Sequence, residues 1–159
     1  MGVFSASDIV EVAIRIEENG YHFYKHAEKI AGQTEAQKLF SQLADAEAGH
    51  KKIFEGLLSK IEKYTPPETY AGEYADYVRS YVDNNLIFTK EVMDQELAKV
   101  ADTVAAFDFA IRRELDSILY YHEIKNLVPP AQHETIERII AEERKHFASL
   151  TEMKKRFLK

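Results

Sequence analysis

The sequence predicts an all-α protein in which four long helices form a bundle of two antiparallel pairs. Four long segments repeat apolar residues at spacings of three and four, which places those residues on one helical face. Glycine and proline are scarce, and the four prolines and Gly32 stand between these segments or at their ends. The connections within each pair are short, which favours antiparallel neighbours, whereas a long crossover from Tyr64 to Ala101 separates the pairs.

The four predicted helices have recognisable start and stop signals. Ser7 and Thr34 carry side chains that cap helix N-termini, and we interpret them as the caps of the first two helices. Gly32 and Pro129-Pro130 stand where a helix is expected to end. All four helices belong to one predicted domain over residues 1–159. Their bounds are about 7–31, 34–63, 102–128 and 130–157.

The crossover between helices 2 and 3 contains a stripe of tyrosines at helical spacing. This stripe predicts a short amphipathic helix that crosses the bundle or packs on its side. We interpret the tyrosines as packing on their own bundle, with a dimer surface as the alternative. A second short helix is expected over about residues 90–98. The tyrosines are Tyr70, Tyr74, Tyr77 and Tyr81.

Composition excludes several classes of function. The net charge is -6 and there is no basic run, which argues against a nucleic-acid partner. No uncharged stretch is long enough to span a membrane. Residues 1–8 lack a signal-peptide pattern, so a cytoplasmic location is expected. The chain has no cysteine, so any metal must be held by Glu, Asp, His or Tyr.

Each predicted helix carries a glutamate in the middle of its apolar face. On the third helix, for example, the predicted inner face runs through Ile111, Glu114 and Ile118. A buried carboxylate is costly unless it is paired or bound to a cation, so four of them require a common cause. Helices 2 and 4 add a histidine three residues after the glutamate. The candidate metal ligands are Glu17, Glu47, His50, Glu114, Glu143 and His146.

The two helix pairs repeat one pattern, E-x6-Y followed about thirty residues later by E-x2-H. The second copy lies 96 or 97 positions after the first. One E-x2-H pair arises easily by chance, but a doubled unit on periodic helices is much more specific. The first copy consists of Glu17, Tyr24, Glu47 and His50, and the second of Glu114, Tyr121, Glu143 and His146.

The pattern indicates a site for two metal ions. Di-iron and di-manganese bundles use a Glu from each of two helices and a Glu-x-x-His from each of the other two. We therefore expect two iron ions per chain, with manganese or zinc as alternatives. Tyr24 and Tyr121 are predicted to hydrogen-bond ligand carboxylates; a direct ligand or radical role is the alternative. Glu18 and Glu142, which neighbour two ligands, and the other four histidines are predicted to be solvated.

The residues resemble the rubrerythrin-like branch of the ferritin-like superfamily over nearly the whole chain. The resemblance rests on EENGYHFYKHAE, ADAEAGHKKIF, ELDSILYYHEI and AEERKHF. It implies a ferritin-like bundle whose six candidate ligands match the family's positions. Two features depart from rubrerythrins proper, because Ser117 replaces an additional ligand glutamate and no cysteine-rich rubredoxin domain is present.

The function implied is that of a di-iron redox protein. The resemblance implies oxidation of Fe(II), or reduction of peroxide or dioxygen, by a ferroxidase- or peroxidase-like oxidoreductase active under oxidative stress. Electrons would come from an external donor, and a homodimer is expected. Two alternatives remain open: non-enzymatic iron binding, buffering or sensing, and a helical module with structural zinc.

Overall fold

The structure is a computed structural model that describes residues 5–61, 76–77, 80 and 90–159. Regular structure in these residues is helical, which confirms the prediction of an all-α bundle. A 3₁₀ turn at Pro130–Gln132 precedes the last helix. The helices are α1 (Ala6–Ile30), α2 (Thr34–Ile61), α3 (Lys90–Lys99), α4 (Thr103–Lys125) and α5 (His133–Phe157).

The helix ends correct two predicted caps. Ser5, and not Ser7, is the N-cap of α1. The hydroxyl of Ser5 accepts a hydrogen bond from the backbone of Asp8, whose carboxylate accepts one from the backbone of Ser5, forming a capping box. Thr34 is the first residue of α2 rather than the residue before it. Asp102 caps α4 with a hydrogen bond of 2.8 Å to a backbone N–H.

The core is divided into two apolar clusters, one toward each end of the bundle. Helix α1 packs along α2, α4 packs along α5, and the two pairs meet through α1 against α4 and α2 against α5. The four central glutamates lie between the clusters. One cluster includes Ile16, Phe54, Leu57, Tyr121 and Ile139. The other includes Phe23, Phe40, Leu43, Phe107 and Leu150.

The crossover is described in part. Helix α3 corresponds to the predicted second short helix and contacts α1. Tyr77 is helical and exposed. Tyr70, Tyr74 and Tyr81 lie outside the described residues, so most of the predicted tyrosine-bearing helix does too. Among the described helices, none has a stretch apolar and long enough to cross a bilayer.

Candidate metal centre

The structure brings the six predicted metal-binding side chains together at the middle of the bundle. They form two groups, and within each group one donor atom from every residue lies within 4.8 Å of the others. Glu47 and Glu143 belong to both groups. The first group is completed by Glu17 and His50, and the second by Glu114 and His146. Each predicted repeat unit therefore supplies donors to both groups.

Burial makes this concentration of acid unfavourable without a cation. All four glutamates and His50 are at most 2% exposed, whereas His146 is 14% exposed on its side chain. Burial, together with repulsion from neighbouring carboxylates, raises the pKa of Glu17, Glu47 and Glu114. Two divalent cations would balance the charge of four carboxylates and remove this penalty.

Glu143 lies between the two histidines. Its Oε1 is 2.9 Å from Nδ1 of His50, and its Oε2 is 2.8 Å from Nδ1 of His146. Burial opposes ionisation of Glu143, but the hydrogen bond from His146 and the charge of His50 outweigh it and lower the pKa of Glu143. Burial also disfavours the charged form of His50, yet interactions with Glu143 and Glu17 raise the pKa of His50 to about 12.

Several buried donor atoms at the centre have no hydrogen-bond partner. Within the described part of the chain, these include Oε2 of Glu17, Nδ1 of His50 and Oε1 of Glu143. Nδ1 of His50 is 3.5 Å from the Glu17 oxygen and 2.9 Å from the Glu143 oxygen, but neither contact has the angles of a hydrogen bond. Buried polar atoms are rarely left unpaired. Atoms that face one another without bonding fit a shared metal ion.

The two tyrosines make crossed hydrogen bonds between the helix pairs. The Tyr24 hydroxyl donates to Oε1 of Glu114, and the Tyr121 hydroxyl donates to Oε1 of Glu17. Both tyrosines are fully buried, and burial with the nearby carboxylates raises their pKa, so each phenol keeps its proton. The tyrosine of each helix pair thus holds a glutamate side chain of the other helix pair in position.

Removing one crossed hydrogen bond should loosen the centre without dismantling it. Tyr121→Phe leaves Oε1 of Glu17 without its donor, and an unsatisfied buried acceptor costs roughly 1–3 kcal/mol. We expect a lower melting temperature and a several-fold loss in metal affinity. Thermal melting with and without metal would measure both. Tyr21→Phe, at a half-buried position on α1 outside the two groups of donors, is the control, and equal behaviour of the two variants would contradict this role.

A buried arginine that the sequence analysis missed adjoins the centre. The side chain of Arg113 is 3% exposed, and its guanidinium donates to Oε2 of Glu47 at 3.0 Å and to the carbonyl of Ile16 at 2.6 Å. Burial disfavours the charged form, but Glu47 and other nearby acids outweigh it and raise the pKa of Arg113. The predicted inner face of this helix ran through Ile111 and Ile118, which are only half-buried.

Glu142 is the second residue whose role was missed. Its side chain is 53% exposed, as predicted for a surface residue, yet its Oε2 lies 2.8 Å from Nε2 of His50. Glu18, predicted to be similar, pairs instead with Lys51 at 3.0 Å. A carboxylate on the outer nitrogen of a metal-binding histidine orients the ring and increases its basicity. The inner nitrogen of His50 faces the two groups of donors.

The four-helix bundle and its buried cluster of glutamates and histidines are typical of the ferritin-like class of carboxylate-rich bundles. A family model described as Rubrerythrin matches residues 8–107. The chain therefore belongs to the rubrerythrin family, as predicted. Its 159 residues contain no cysteine, so they hold no rubredoxin-type iron site.

A similar solved structure supports the same class. It is the crystal structure of a ferritin-like diiron-carboxylate protein from Thermotoga maritima, with 29% sequence identity and a TM-score of 0.67. The alignment covers 98% of this chain and 97% of that chain. None of the curated proteins matches this chain. The predicted ferritin-like fold is confirmed by this likeness.

Proposed function

We propose that this protein binds two iron ions at the candidate metal centre and uses them to oxidise Fe(II), or to reduce peroxide or dioxygen. The convergence of four buried carboxylates and two imidazoles at one place in the bundle is the observation that carries the proposal. Bound iron would supply one electron per ion, and the reduction of one peroxide to two waters consumes two electrons. The protein would then act as a ferroxidase- or peroxidase-like oxidoreductase.

The proposed metal ligands divide between two positions. Glu17 and His50 would hold one ion, and Glu114 and His146 would hold the other. Glu143 is suited to serve both, because its two oxygens face different histidines. Oxygen-rich sites with imidazole suit iron and manganese, and zinc also accepts these donors.

The surroundings of the six proposed ligands control access of small molecules to the metal ions and hold the ligands in place. The apolar clusters on both sides exclude bulk water from the carboxylates. His146 is the most exposed of the six proposed ligands. A small oxidant or Fe(II) would therefore enter the centre past His146. The crossed tyrosines hold two carboxylates in fixed positions.

Anaerobic titration of the metal-free protein with Fe(II), followed by peroxide or air, tests the proposal. Two irons per chain and a near-ultraviolet band of the oxidised iron pair after oxidant are expected, and the faster oxidant would identify the reaction. No binding would overturn the proposal. Binding of zinc that raises the melting temperature, without any redox cycling of iron, would favour a structural zinc module.

Iron binding without rapid turnover is the second candidate. It is favoured by the lack of cysteine, because these residues supply no thiolate-based centre to return electrons to the iron. Steady-state turnover with an external reductant separates the two functions. Rapid turnover would support the enzyme, and a single oxidation followed by stalled cycling would support iron buffering or sensing.

We also propose that the protein is a cytoplasmic homodimer supplied by an external electron donor. Leu115 and Leu119 support a partner surface, because both are 47% exposed and lie four residues apart on one side of α4. Gel filtration at high concentration tests this assembly, and a monomer would overturn it.

Removing Glu142 should weaken metal binding although Glu142 is not a proposed ligand. Glu142→Ala takes the carboxylate from the outer nitrogen of His50, and loss of such partners typically costs about 10–100-fold in metal affinity. Glu18→Ala is the matched control. The Glu18 side chain is 48% exposed, against 53% for Glu142, and each residue is adjacent in sequence to a proposed ligand. Competition with a chromophoric chelator would measure the difference. Equal affinities in the two variants would contradict the role of Glu142.

A further inference from the structure

The two carboxylates shared between the groups have different surroundings. The oxygens of Glu143 face one histidine each, at 2.9 Å and 2.8 Å. Oε2 of Glu47 instead accepts a hydrogen bond from the guanidinium of Arg113 at 3.0 Å. One shared carboxylate is therefore directed at both metal positions, whereas the other is partly held by a cation of the protein.

The structure makes specific room for the contact between Arg113 and Glu47. A Cβ atom built on Gly20 would collide with the guanidinium and with the carboxylate. Gly20 lies in the middle of α1, where glycine weakens a helix relative to alanine. Its lack of a side chain is what allows the two groups to meet.

Arg113 also breaks the internal repeat. Position 113 corresponds to Ile16 in the first copy, and Gly20 corresponds to Ser117 in the second. The hydroxyl of Ser117 donates to the carbonyl of Arg113 at 3.0 Å, within its own helix. Glu143 has no arginine contact corresponding to that of Glu47 among the described residues.

The positive charge of Arg113 changes the net charge of the centre when both metal ions are bound. Four carboxylates and two divalent cations cancel, so a buried guanidinium leaves one positive charge in excess. A buried charge interacts strongly over short distances, because few water molecules screen it. With one divalent ion bound, the net charge of these groups is still negative, so the excess positive charge appears only when the second ion binds.

We propose that Arg113 is a positioning residue that restrains Glu47 and opposes the second cation, so that the two metal positions fill in sequence. This inference rests on the proposed metal-binding function. It requires no transfer of protons or electrons. Nη2 of Arg113 donates both to Oε2 of Glu47 and to the carbonyl of Ile16, which ties the carboxylate to the backbone of α1.

Anaerobic titration with Co(II), followed by calorimetry and visible absorbance, tests the proposal without any redox reaction. The wild-type protein should show two steps, the second weaker by at least about tenfold. In Arg113→Gln the second step should tighten by at least about tenfold, so that the steps merge. Arg113→Lys, which keeps the charge, should retain two steps. Arg112→Gln is the control, because it removes an equal charge from an exposed neighbour.

The outcomes separate this inference from the proposed function. No Co(II) binding by the wild-type protein would overturn the metal site itself. Two equal steps in the wild type, or an unchanged ratio of affinities in Arg113→Gln, would overturn only the role of Arg113. Arg113→Met provides a second variant if Arg113→Gln does not fold, since an apolar side chain of similar length removes the buried charge and leaves every proposed ligand in place. It should also bring the two steps together.

Discussion

Replacing Glu143 with alanine is expected to remove at least one metal ion per chain and to abolish oxidation of Fe(II). Glu143 contributes donor atoms to both groups, and its oxygens are 2.9 Å and 2.8 Å from Nδ1 of His50 and of His146. The alanine leaves Nδ1 of each histidine without its nearest carboxylate. We expect a loss of affinity of at least about a hundredfold, because the change removes a proposed ligand and not merely a supporting group.

Metal content after anaerobic loading, measured by elemental analysis, would check this prediction. Glu152→Ala is the matched control on the same helix, since the Glu152 side chain is 63% exposed and pairs only loosely with Arg156 at 3.8 Å. Circular dichroism would show that both variants remain helical. Full metal content in Glu143→Ala would remove Glu143 from the ligand set and weaken the entire assignment.

Lowering the pH from about 8 to about 6 is expected to weaken metal binding by about tenfold per pH unit for each proton displaced. His50 has a pKa raised to about 12 in the metal-free protein, mainly by Glu143 and Glu17 acting against burial. It therefore carries a proton at neutral pH, and that proton must leave before Nδ1 can bind a cation. Calorimetry in two buffers with different ionisation enthalpies would count the protons released.

The stability of the metal-free protein should change with pH in the opposite direction. A histidine whose folded pKa is raised contributes stability fully below its unfolded pKa of 6.5, and that stability is lost as the pH rises toward 12. The pKa of Glu17, Glu47 and Glu114 is also raised from the unfolded value of 4.5, so these groups also make the folded protein less stable as the pH rises above 4.5. The melting temperature without metal should therefore fall between about pH 6.5 and 8, while stabilisation by metal grows. A melting temperature without metal that rises across this range, or binding that is independent of pH, would contradict the prediction.

Helical periodicity was sufficient to predict the fold and to bring the six polar side chains to one place. A glutamate within an apolar stripe is informative because its burial is unfavourable without a partner, and the repeat placed four such glutamates at equivalent positions. Their proximity is now observed, and their role as metal ligands stays a prediction. The crossed pairing of the tyrosines was not predictable, because spacing along one helix does not reveal which neighbouring helix a side chain meets.

Arg113 and Glu142 were missed for different physical reasons. Arg113 is next to Glu114, and the face assigned to the helix was rotated toward Ile111 and Ile118, so the arginine was left out of the interior. Gly20, in the middle of α1, was the available signal, since a mid-helix glycine often marks a close approach. Glu142 does point away from Glu143, but its side chain is long enough to reach His50 on another helix.

The crossed tyrosine bonds also bear on how such a chain arises. One hairpin carries a glutamate, a tyrosine and a Glu-x2-His pair, and its tyrosine bonds a carboxylate of the other hairpin. Two identical hairpins related by a twofold axis would hold the same complete set, which is the geometry expected before gene duplication and fusion. In two identical hairpins, equivalent positions must carry the same residue. In this single chain, position 113 is arginine where the equivalent position holds Ile16, and Glu142 is equivalent to Ala46. Fusion therefore allows each half of an originally symmetric centre to acquire its own chemistry.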